Sequence, residues 1–326
     1  MRASAAIVTT LRNAGAVLDS FIAWHRAIGF SHLFLFFDDP SDPDISRIQG
    51  RSDVTAIACD ENLRSSWRRL RTWAQMGPFI DREVMARQVL NVEIAMALAR
   101  EHGCDWLLSI DGDELFFSAA GNAAEVFDRL SSSPFDTVQF LNYEAVPVRD
   151  EIADAFREVD LFKPSLRLLP PHLEPALREV ERTVPQLRPW FHFYANGKAA
   201  VRLSDPSLEP FGVHQFRRAA GATRAAISPA GFILHYAVCG FEAFWTKYAT
   251  LGRFSDKWFG AHEIAPAIGT FHLEARDVVA RGDREAARAF YRARAVISDP
   301  VLLERLTRLG LLAQFREPGR VLAGPS

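Results

Sequence analysis

The chain is poor in cysteine. Its three cysteines, Cys59, Cys104 and Cys239, lie far apart among 326 residues. Their odd number and their spacing exclude a disulfide framework and a cysteine-ligated zinc site as explanations of the fold. Because this usage suits a reducing compartment, we expect a cytoplasmic protein.

Long hydrophobic runs and an excess of one charge are also missing. No stretch approaches the roughly 18–20 apolar residues that a membrane span requires. We therefore expect no transmembrane segment, which leaves only peripheral contact with a membrane open. A candidate strand begins near Ala5, and because a signal peptide is longer than the residues before it, we expect none. The formal net charge of −2 provides no global field for a polyanion, so we expect no nucleic-acid partner.

The pattern of the first 60 residues predicts an α/β fold. Apolar runs of strand length occupy residues 5–10, 33–37 and 54–58, and a stripe at helical spacing lies between the first two. This order favours a right-handed parallel unit. Residues 61–81 and 144–200 read as irregular segments and long loops, and residues 82–101 as a helix. From residue 241 the chain reads as helical.

The most informative segment is an apolar run that ends in two carboxylates. Residues 106–110 have the length and composition of a buried strand, and Asp111, Gly112 and Asp113 follow directly. Open α/β folds bind ligands at the carboxyl ends of their strands. Two hard oxygen ligands at alternate positions suit Mg²⁺ or Mn²⁺, which also bind substrate phosphates. A polar turn that binds no metal is the alternative.

The order of several motifs along the chain resembles a known group of enzymes. The motifs are Arg12–Asn13, Trp24–His25, Gly29–Phe30, the aspartates after the second strand, Arg87 with Asn91, Asp105–Phe116, residues 196–202, His214, residues 234–236 and Phe244 with Lys247–Tyr248. In this order they resemble the family-2-like and family-92-like glycosyltransferases of the GT-A fold, over roughly residues 5–260. The resemblance implies a GT-A-type domain at residues 1–240, with a mostly parallel mixed sheet flanked by helices. A helical extension packed on it would occupy residues 241–326.

The resemblance also implies a function. It is that of a metal-dependent glycosyltransferase, using Mn²⁺ or Mg²⁺, that moves a sugar from a nucleotide-sugar donor such as a UDP- or GDP-sugar. The acceptor would be a hydroxyl of a glycan or of another molecule, and the reaction would invert the anomeric centre. Ala14 stands where such families carry an acid, and residues 142–144 replace an expected Phe-Gly pair. A GT-A-like protein that binds sugar or nucleotide without turnover therefore stays open. A nucleotidyltransferase is disfavoured because no glycine-rich phosphate loop follows the first strand.

The metal ligands are expected among four residues. Asp111 and Asp113 would hold the ion, and a late histidine would complete the site. His235 is favoured because the end of a strand positions it rigidly, with His214 as the alternative. A histidine satisfied within the core is an equally good reading of either one alone.

Donor-binding residues are expected along the same edge of the sheet. Asp38 follows the second strand, where this fold receives the nucleoside, although a turn stabilised by its own side chain explains it equally well. Arg87 and Asn91 share one helix face because they are four residues apart. The full set of candidates is Thr9, Arg12, Asp38, Arg87, Asn91, Asp111, Gly112 and Lys198.

A catalytic base is needed near the acceptor hydroxyl of an inverting transferase. Glu144 follows the strand after the paired aspartates, and Asp256 lies in a late loop. Glu114 is a third candidate, although its position is more typical of a residue that supports the metal-binding loop. The sequence does not choose among them.

Overall fold

A computed structural model describes residues 2–15, 17–185, 194–252, 254, 256–259, 262–263 and 266–324. The chain divides into two compact units. The first comprises residues 1–141 and 196–233, and the second comprises residues 142–195 and 234–326. This division reflects contacts within each unit, whereas the boundary expected between residues 240 and 241 would separate two domains. That boundary stays a prediction.

The strands are numbered along the chain. They are β1 Ala5–Leu11, β2 His32–Phe37, β3 Val54–Ala58, β4 Trp106–Ser109, β5 Glu114–Phe117, β6 Thr137–Phe140, β7 Asn142–Ala145, β8 Leu161–Pro164, β9 Lys198–Arg202, β10 Leu208–Pro210, β11 Phe216–Arg218, β12 Ala225–Ile227, β13 Phe232–His235, β14 Lys257–Trp258, β15 His262–Glu263 and β16 Ala313–Gln314.

The helices are numbered in the same way. They are α1 Val17–Ala27, α2 Asp44–Ile48, α3 Glu61–Trp67, α4 Trp73–Met76, α5 Val84–Glu101, α6 Ala123–Ser131, α7 Ala155–Glu158, α8 Glu174–Thr183, α9 Phe241–Leu251, α10 Pro266–Ala280, α11 Arg284–Arg294, α12 Pro300–Arg308 and α13 Glu317–Ala323. Short 3₁₀ turns occupy Gly77–Phe79 and Pro171–Leu173.

The first unit is built on a seven-stranded sheet in the order β12-β6-β9-β4-β1-β2-β3. Strand β1 is parallel to both β2 and β4, and β2 is parallel to β3. Strand β9 is antiparallel to its neighbours β4 and β6. Strand β2 is buried along its whole length, which is typical of a parallel sheet covered on both faces. The predicted α/β class, a mostly parallel mixed sheet flanked by helices, is confirmed.

Helix α5 covers the strands that carry the candidate site. It contacts β1 and β4, and its buried residues include Val89, Val92 and Met96 at helical spacing. The predicted helix at residues 82–101 is confirmed to within two residues. Residues 61–81 are not irregular, however, because α3 and α4 lie there. The Asp60 side chain begins α3 by accepting a hydrogen bond of 2.9 Å from the backbone nitrogen of Leu63.

The second unit combines a small sheet with the C-terminal helices. Strand β7 pairs with β8, and β8 pairs with β16, both antiparallel. The expectation of long loops over residues 144–200 was wrong, because β7, α7, β8 and α8 lie within them. Helix α8 buries Leu177 and Val180 in one apolar cluster with Leu306 and Leu311. Segments that are far apart in sequence therefore share this core. None of the helices in the described ranges combines the length and apolar composition that a membrane crossing needs.

Candidate functional site

Asp111 follows the end of β4, at the carboxyl edge of the parallel strands. Its Oδ1 accepts a hydrogen bond from Gln88 Nε2 at 2.8 Å, and its Oδ2 lies 2.6 Å from Lys198 Nζ. Its backbone nitrogen donates to Glu114 Oε2 at 2.7 Å. Both oxygens of the first aspartate are thus in contact with donors from other elements, and one of these donors is a cation.

Lys198 is the buried member of this group. Its side chain is 3% exposed, against 36% for Asp111. Its ammonium also lies 3.6 Å from Glu114 Oε2. Burial opposes the charged form, but the carboxylates of Asp111 and Glu114 outweigh burial and raise the pKa of Lys198 to about 12. Burial likewise opposes ionisation of Asp111, but the charge and the hydrogen bond of Lys198, together with the charge of His214, outweigh it, so the pKa of Asp111 is lowered. The two groups form an ion pair at neutral pH.

Asp113 and His214 belong to the same neighbourhood. The charge of Asp113 raises the pKa of Asp111 and that of His214 lowers it, although both contributions are smaller than that of Lys198. His214 Nδ1 donates to the backbone oxygen of Gly197 at 2.8 Å. The structure therefore brings Asp111, Asp113, Lys198 and His214 together from two distant parts of the sequence.

Gly197 fixes where Lys198 and His214 lie. Its φ is +60°, and a Cβ atom at this position would lie 2.1 Å from the backbone oxygen of Phe140. Since only glycine tolerates this conformation and this close approach, the start of β9 is held against the end of β6. Gly112 is also crowded, because a Cβ atom there would lie 2.5 Å from a methyl group of Leu11.

The donor set does not form a complete metal cage by itself. Across the described ranges, no group of three or more histidine, cysteine, aspartate or glutamate side chains is arranged to hold a metal ion. Asp113 and His214 nevertheless have ligand chemistry that Mn²⁺ accepts. Asp113 and His214 could therefore supply part of the ligand set of a divalent cation.

Asp38 and Arg87 form a buried pair on the same sheet edge. Arg87 Nη2 donates to Asp38 Oδ2 at 2.8 Å, its Nε donates to Oδ1, and its Nη1 donates to the backbone oxygen of Ile80 at 2.6 Å. Arg12 lies 3.6 Å from the same carboxylate, which is 3% exposed. The structure thus brings three predicted donor-binding residues together, but the two arginines interact with the aspartate.

Asn91 and Thr9 lie deeper in the first unit. The fully buried amide of Asn91 donates to Thr10 Oγ1 at 3.0 Å and accepts from Trp67 Nε1 at 3.2 Å. In the described structure Thr9 Oγ1 is buried without a hydrogen-bond partner. Thr9 lines a cavity of about 10 Å³ that Gln88 and Asp111 also line. A cavity of this size holds about one water molecule, which would satisfy the threonine hydroxyl.

His235 and Glu144 form a buried pair in the second unit. His235 Nδ1 lies 3.0 Å from Glu144 Oε1, and its ring meets the Tyr194 ring edge-on at 4.4 Å. Asn142 Nδ2 also donates to Glu144 Oε1 and, at 2.9 Å, to the backbone oxygen of Tyr194. Glu144 is fully buried, and its Oε2 has no hydrogen-bond partner among the described residues. The favoured histidine therefore has a carboxylate as its direct neighbour.

Lys163 lies opposite Glu144 in the β7–β8 ladder. Burial lowers the pKa of this lysine to about 8, and the charge of Glu144 opposes the decrease. Asp256, the other predicted base, is different, because its side chain is 72% exposed and lies 2.7 Å from Arg276 Nη1. The roles assigned to Glu144 and Asp256 stay predictions.

Gln88 and Lys163 were missed by sequence reasoning. Gln88 stands beside Arg87 on α5, and it shares a face with Asn91 and Val92 at a spacing of three and four residues. This spacing could have identified Gln88, whereas the prediction treated Arg87 and Asn91 as the polar pair of the helix. Lys163 had no signal, because its partner strand could not be identified from the sequence.

Comparisons with known proteins give two named relatives that cover nearly the whole chain. No protein-family model matches the chain. The glycosyltransferase-like protein At2g41451 of Arabidopsis thaliana is 28% identical over 329 residues, which cover 95% of this chain and 70% of the relative. The glycosyltransferase-like protein At3g57200 of the same plant is 27% identical and is covered to 62%. The chain is therefore similar, over nearly all of its length, to proteins named as glycosyltransferase-like, and it spans about two thirds of their length.

Two examples illustrate a partial likeness to solved structures. Core-mannan synthase A from Aspergillus fumigatus, in its Mn/GDP form, is 13% identical, with a TM-score of 0.29 and coverage of 57% of this chain and 49% of that one. TarS from S. aureus is 7% identical, with a TM-score of 0.31 and coverage of 85% and 43%.

Proposed function

We propose that this protein transfers a sugar from a nucleotide-sugar donor to a hydroxyl acceptor. One observation carries the proposal. Asp111 and Asp113 follow the carboxyl end of β4, and the start of the antiparallel strand β9 brings Lys198 to the same place, where His214 is anchored by its hydrogen bond to the Gly197 backbone oxygen. This is where an α/β sheet receives a ligand. The similarity to glycosyltransferase-like proteins over 95% of the chain supports the same class.

The chemistry of the edge suits a diphosphate. Lys198 is a cation that can attract phosphate oxygens, while Asp111 is held in place by Gln88 and Lys198. A leaving nucleoside diphosphate gains negative charge as the glycosidic bond breaks, and preorganised cations stabilise that charge. We propose that the diphosphate of the donor lies over this edge, with Thr9 and Gly112 close to it.

A divalent cation, Mn²⁺ or Mg²⁺, belongs to this proposal. Asp113 and His214 would hold it, and Asp111 would contribute the oxygen that faces the neutral amide of Gln88. This assignment prefers His214 to His235, because the charge of His214 acts on Asp111 within the first unit. When bound, the cation would neutralise the charge that develops on the leaving diphosphate.

We propose that the pair of Asp38 and Arg87 shapes the part of the site that would lie beside the nucleoside. Because Asp38 already accepts from Arg87 and lies near Arg12, its carboxylate is less available to a ribose or a base than a solvated aspartate would be. Arg87 and Asn91 then act by positioning the strand ends behind the donor.

The acceptor side keeps two candidate bases. Glu144 is oriented by two partners but is fully buried, whereas Asp256 is exposed but paired with Arg276. An inverting reaction needs one carboxylate within hydrogen-bond reach of the acceptor hydroxyl. Separate Glu144→Gln and Asp256→Asn variants, assayed for kcat and for folding, would assign the base. The base is the residue whose loss lowers kcat without lowering thermal stability.

A binding protein without turnover is the second candidate, and Ala14 is the reason. The loop around Ala14 lacks the acid that related motifs carry, but two carboxylates reach it from elsewhere. Asp42 Oδ2 accepts from the backbone nitrogen of Asn13 at 3.3 Å, and Asp44 Oδ2 accepts from that of Gly15 at 3.1 Å. Negative charge is thus present beside this loop, which favours the enzyme over the binder.

The test begins with a thermal-shift panel of nucleoside diphosphates, with Mn²⁺ and with EDTA. A ligand that binds only the folded state raises the melting temperature. We expect one nucleoside diphosphate to stabilise the protein, and more strongly with Mn²⁺. Slow hydrolysis of the matching sugar nucleotide would then identify a transferase, whereas tight binding without any hydrolysis or transfer would identify a binder. Absence of stabilisation by every nucleotide would contradict both.

A further inference from the structure

Lys198 places a buried positive charge inside the carboxylate group at the sheet edge. Its ammonium lies 2.6 Å from Asp111 Oδ2 and 3.6 Å from Glu114 Oε2. Asp113 adds a third negative charge to this neighbourhood. A divalent ion that binds these carboxylates must therefore share them with a cation that belongs to the protein.

The backbone of Lys198 cannot move away to make room. Lys198 pairs with Phe140 of β6 in the sheet, and its side chain is 3% exposed. Gly197, with its φ of +60° and its close approach to Phe140, fixes the entry into β9. The ammonium is therefore a fixed part of the edge, unlike a surface lysine that can swing into solvent.

Two cations that share one carboxylate weaken each other's binding. The repulsion between an ammonium and a divalent ion a few ångströms apart is large at the effective dielectric constant of a protein. In return, Lys198 offsets the mutual repulsion of the carboxylates when no metal is bound. The same residue thus stabilises the metal-free edge and lowers its affinity for the metal.

We propose that Lys198 is an internal counter-cation of the Asp111–Asp113 edge, which competes with the divalent ion and keeps its affinity low until a diphosphate arrives. This proposal rests on the metal site proposed above. A diphosphate adds negative charge that both cations can share. Metal and nucleotide would then bind with positive coupling, and metal alone would bind weakly.

The test measures Mn²⁺ binding to the whole protein without nucleotide, from the electron paramagnetic resonance signal of free Mn²⁺. We expect Lys198→Met to bind Mn²⁺ at least tenfold more tightly than the unmodified protein. Lys163→Met is the matched control, because it removes another fully buried lysine that faces a carboxylate, and we expect it to leave Mn²⁺ affinity unchanged. Equal or weaker affinity in Lys198→Met would overturn the proposal.

A second variant guards against a folding defect. Lys198→Gln keeps a hydrogen-bond donor for Asp111 and removes only the charge, so it is expected to fold and to show the same tighter binding. In thermal melts, both variants should be less stable than the unmodified protein in EDTA and should gain more from Mn²⁺. A gain from Mn²⁺ no larger than that of the unmodified protein in both variants would also overturn the proposal.

The results distinguish a failure of the counter-cation proposal from a failure of the proposed function. If neither the unmodified protein nor the two variants bind Mn²⁺, the counter-cation proposal fails. Nucleoside diphosphate binding measured in EDTA would then decide on its own whether the donor site exists. If the variants bind Mn²⁺ tightly but no nucleotide binds, the competition between Lys198 and the metal holds, whereas its relief by a diphosphate and the transferase proposal both fail.

Discussion

Two clusters, one in each unit, each contain a carboxylate and a buried lysine, but they differ in exposure to solvent. The edge cluster consists of Asp111, Gln88 and Lys198 in the first unit. The sealed cluster consists of Glu144, His235 and Lys163 in the second. The Asp111 side chain is 36% exposed, whereas that of Glu144 is not exposed at all. A carboxylate beside a buried lysine can therefore be open to a ligand in one place and closed to solvent in another.

The difference follows from where each carboxylate lies on its strand. Asp111 comes after the last residue of β4, so its side chain meets the space beyond the sheet. Glu144 lies within β7, directly across from Lys163 of β8, so neighbouring strands cover it. We therefore expect changes in the sealed cluster to alter stability and changes at the edge to alter binding.

The largest effect is expected from Glu144→Leu in the sealed cluster. The charge of Glu144 acts on the fully buried Lys163, and removing one of two opposite buried charges leaves the other without compensation, which costs about 3–5 kcal/mol of unfolding free energy. Urea denaturation of the purified variant would measure it. Asp256→Asn removes an exposed carboxylate and serves as the control, with unfolding unchanged within error. A loss below about 1 kcal/mol in Glu144→Leu would show that the sealed cluster does not support the fold.

The Arg87→Met variant tests whether burial of a charged pair, and not the unit in which it lies, determines its effect on stability. Arg87 lies in the first unit, yet its pair with Asp38 is nearly as buried as the sealed cluster. We expect a loss of about 3 kcal/mol of unfolding free energy, at the lower end for a broken buried pair. Nucleotide affinity of the folded fraction, followed by calorimetry below the melting temperature, should fall much less. Unchanged stability with lost nucleotide binding would instead make Arg87 a direct donor ligand.

Acid should weaken both units through one buried histidine in each. Burial lowers the pKa of both His25 and His272 to about 3. His25 is neutral because Nδ1 donates to the Phe21 oxygen while Nε2 accepts from the Phe116 nitrogen. His272 Nε2 and Nδ1 lie 3.0 and 2.8 Å from the hydroxyls of Tyr194 and Tyr248.

The sign follows from which state binds the proton. The unfolded chain binds it below pH 6.5 and the folded chain only near pH 3, so stability is full above pH 6.5 and is lost as the pH falls below it. Each histidine should contribute a loss of about 2 kcal/mol between pH 7 and pH 5. Urea denaturation at several pH values would measure the loss, and His25→Phe should reduce it. A flat profile over this range would contradict the neutral assignments.

The smallest change in free energy is expected from Asp113→Asn at the edge. We expect nucleoside diphosphate affinity in Mn²⁺ to fall about tenfold, which is about 1.4 kcal/mol, with no change in melting temperature without ligand. Isothermal titration calorimetry would measure the affinity, and Asp256→Asn again provides an exposed-carboxylate control. Equal affinity in Asp113→Asn and the unmodified protein would remove Asp113 from the site.

Local patterns in the sequence were enough for the strand that carries the paired aspartates. The apolar run at residues 106–110 and the helical stripe at residues 82–101 report burial directly, and β4 and α5 lie there. The sequence could also place Asp111 at a sheet edge, since a parallel strand ends there. Its cation partner was accessible only as a family expectation for Lys198.

Long-range pairing was beyond the reach of such patterns. Glu144 meets Lys163 and His235 through strand partners whose register no local signal specifies. The preference for His235 over His214 rested on rigidity at a strand end, but Gly197 gives His214 an anchor of its own. The helices within residues 61–81 were not predicted because short helices have weak periodicity. The Asp60 cap was their one clear signal.

Strand β9 carries a consequence for synthesis of the chain. It lies between β4 and β6, yet its residues emerge from the ribosome about 60 positions after β6. Until then, the nascent sheet presents β4 and β6 with unpaired edges, which are prone to associate with other chains. Late insertion of one strand joins the sheet and delivers Lys198 in the same event. We therefore expect the nascent chain to depend on chaperones over this interval, and the edge cluster to form only when folding of the sheet is complete.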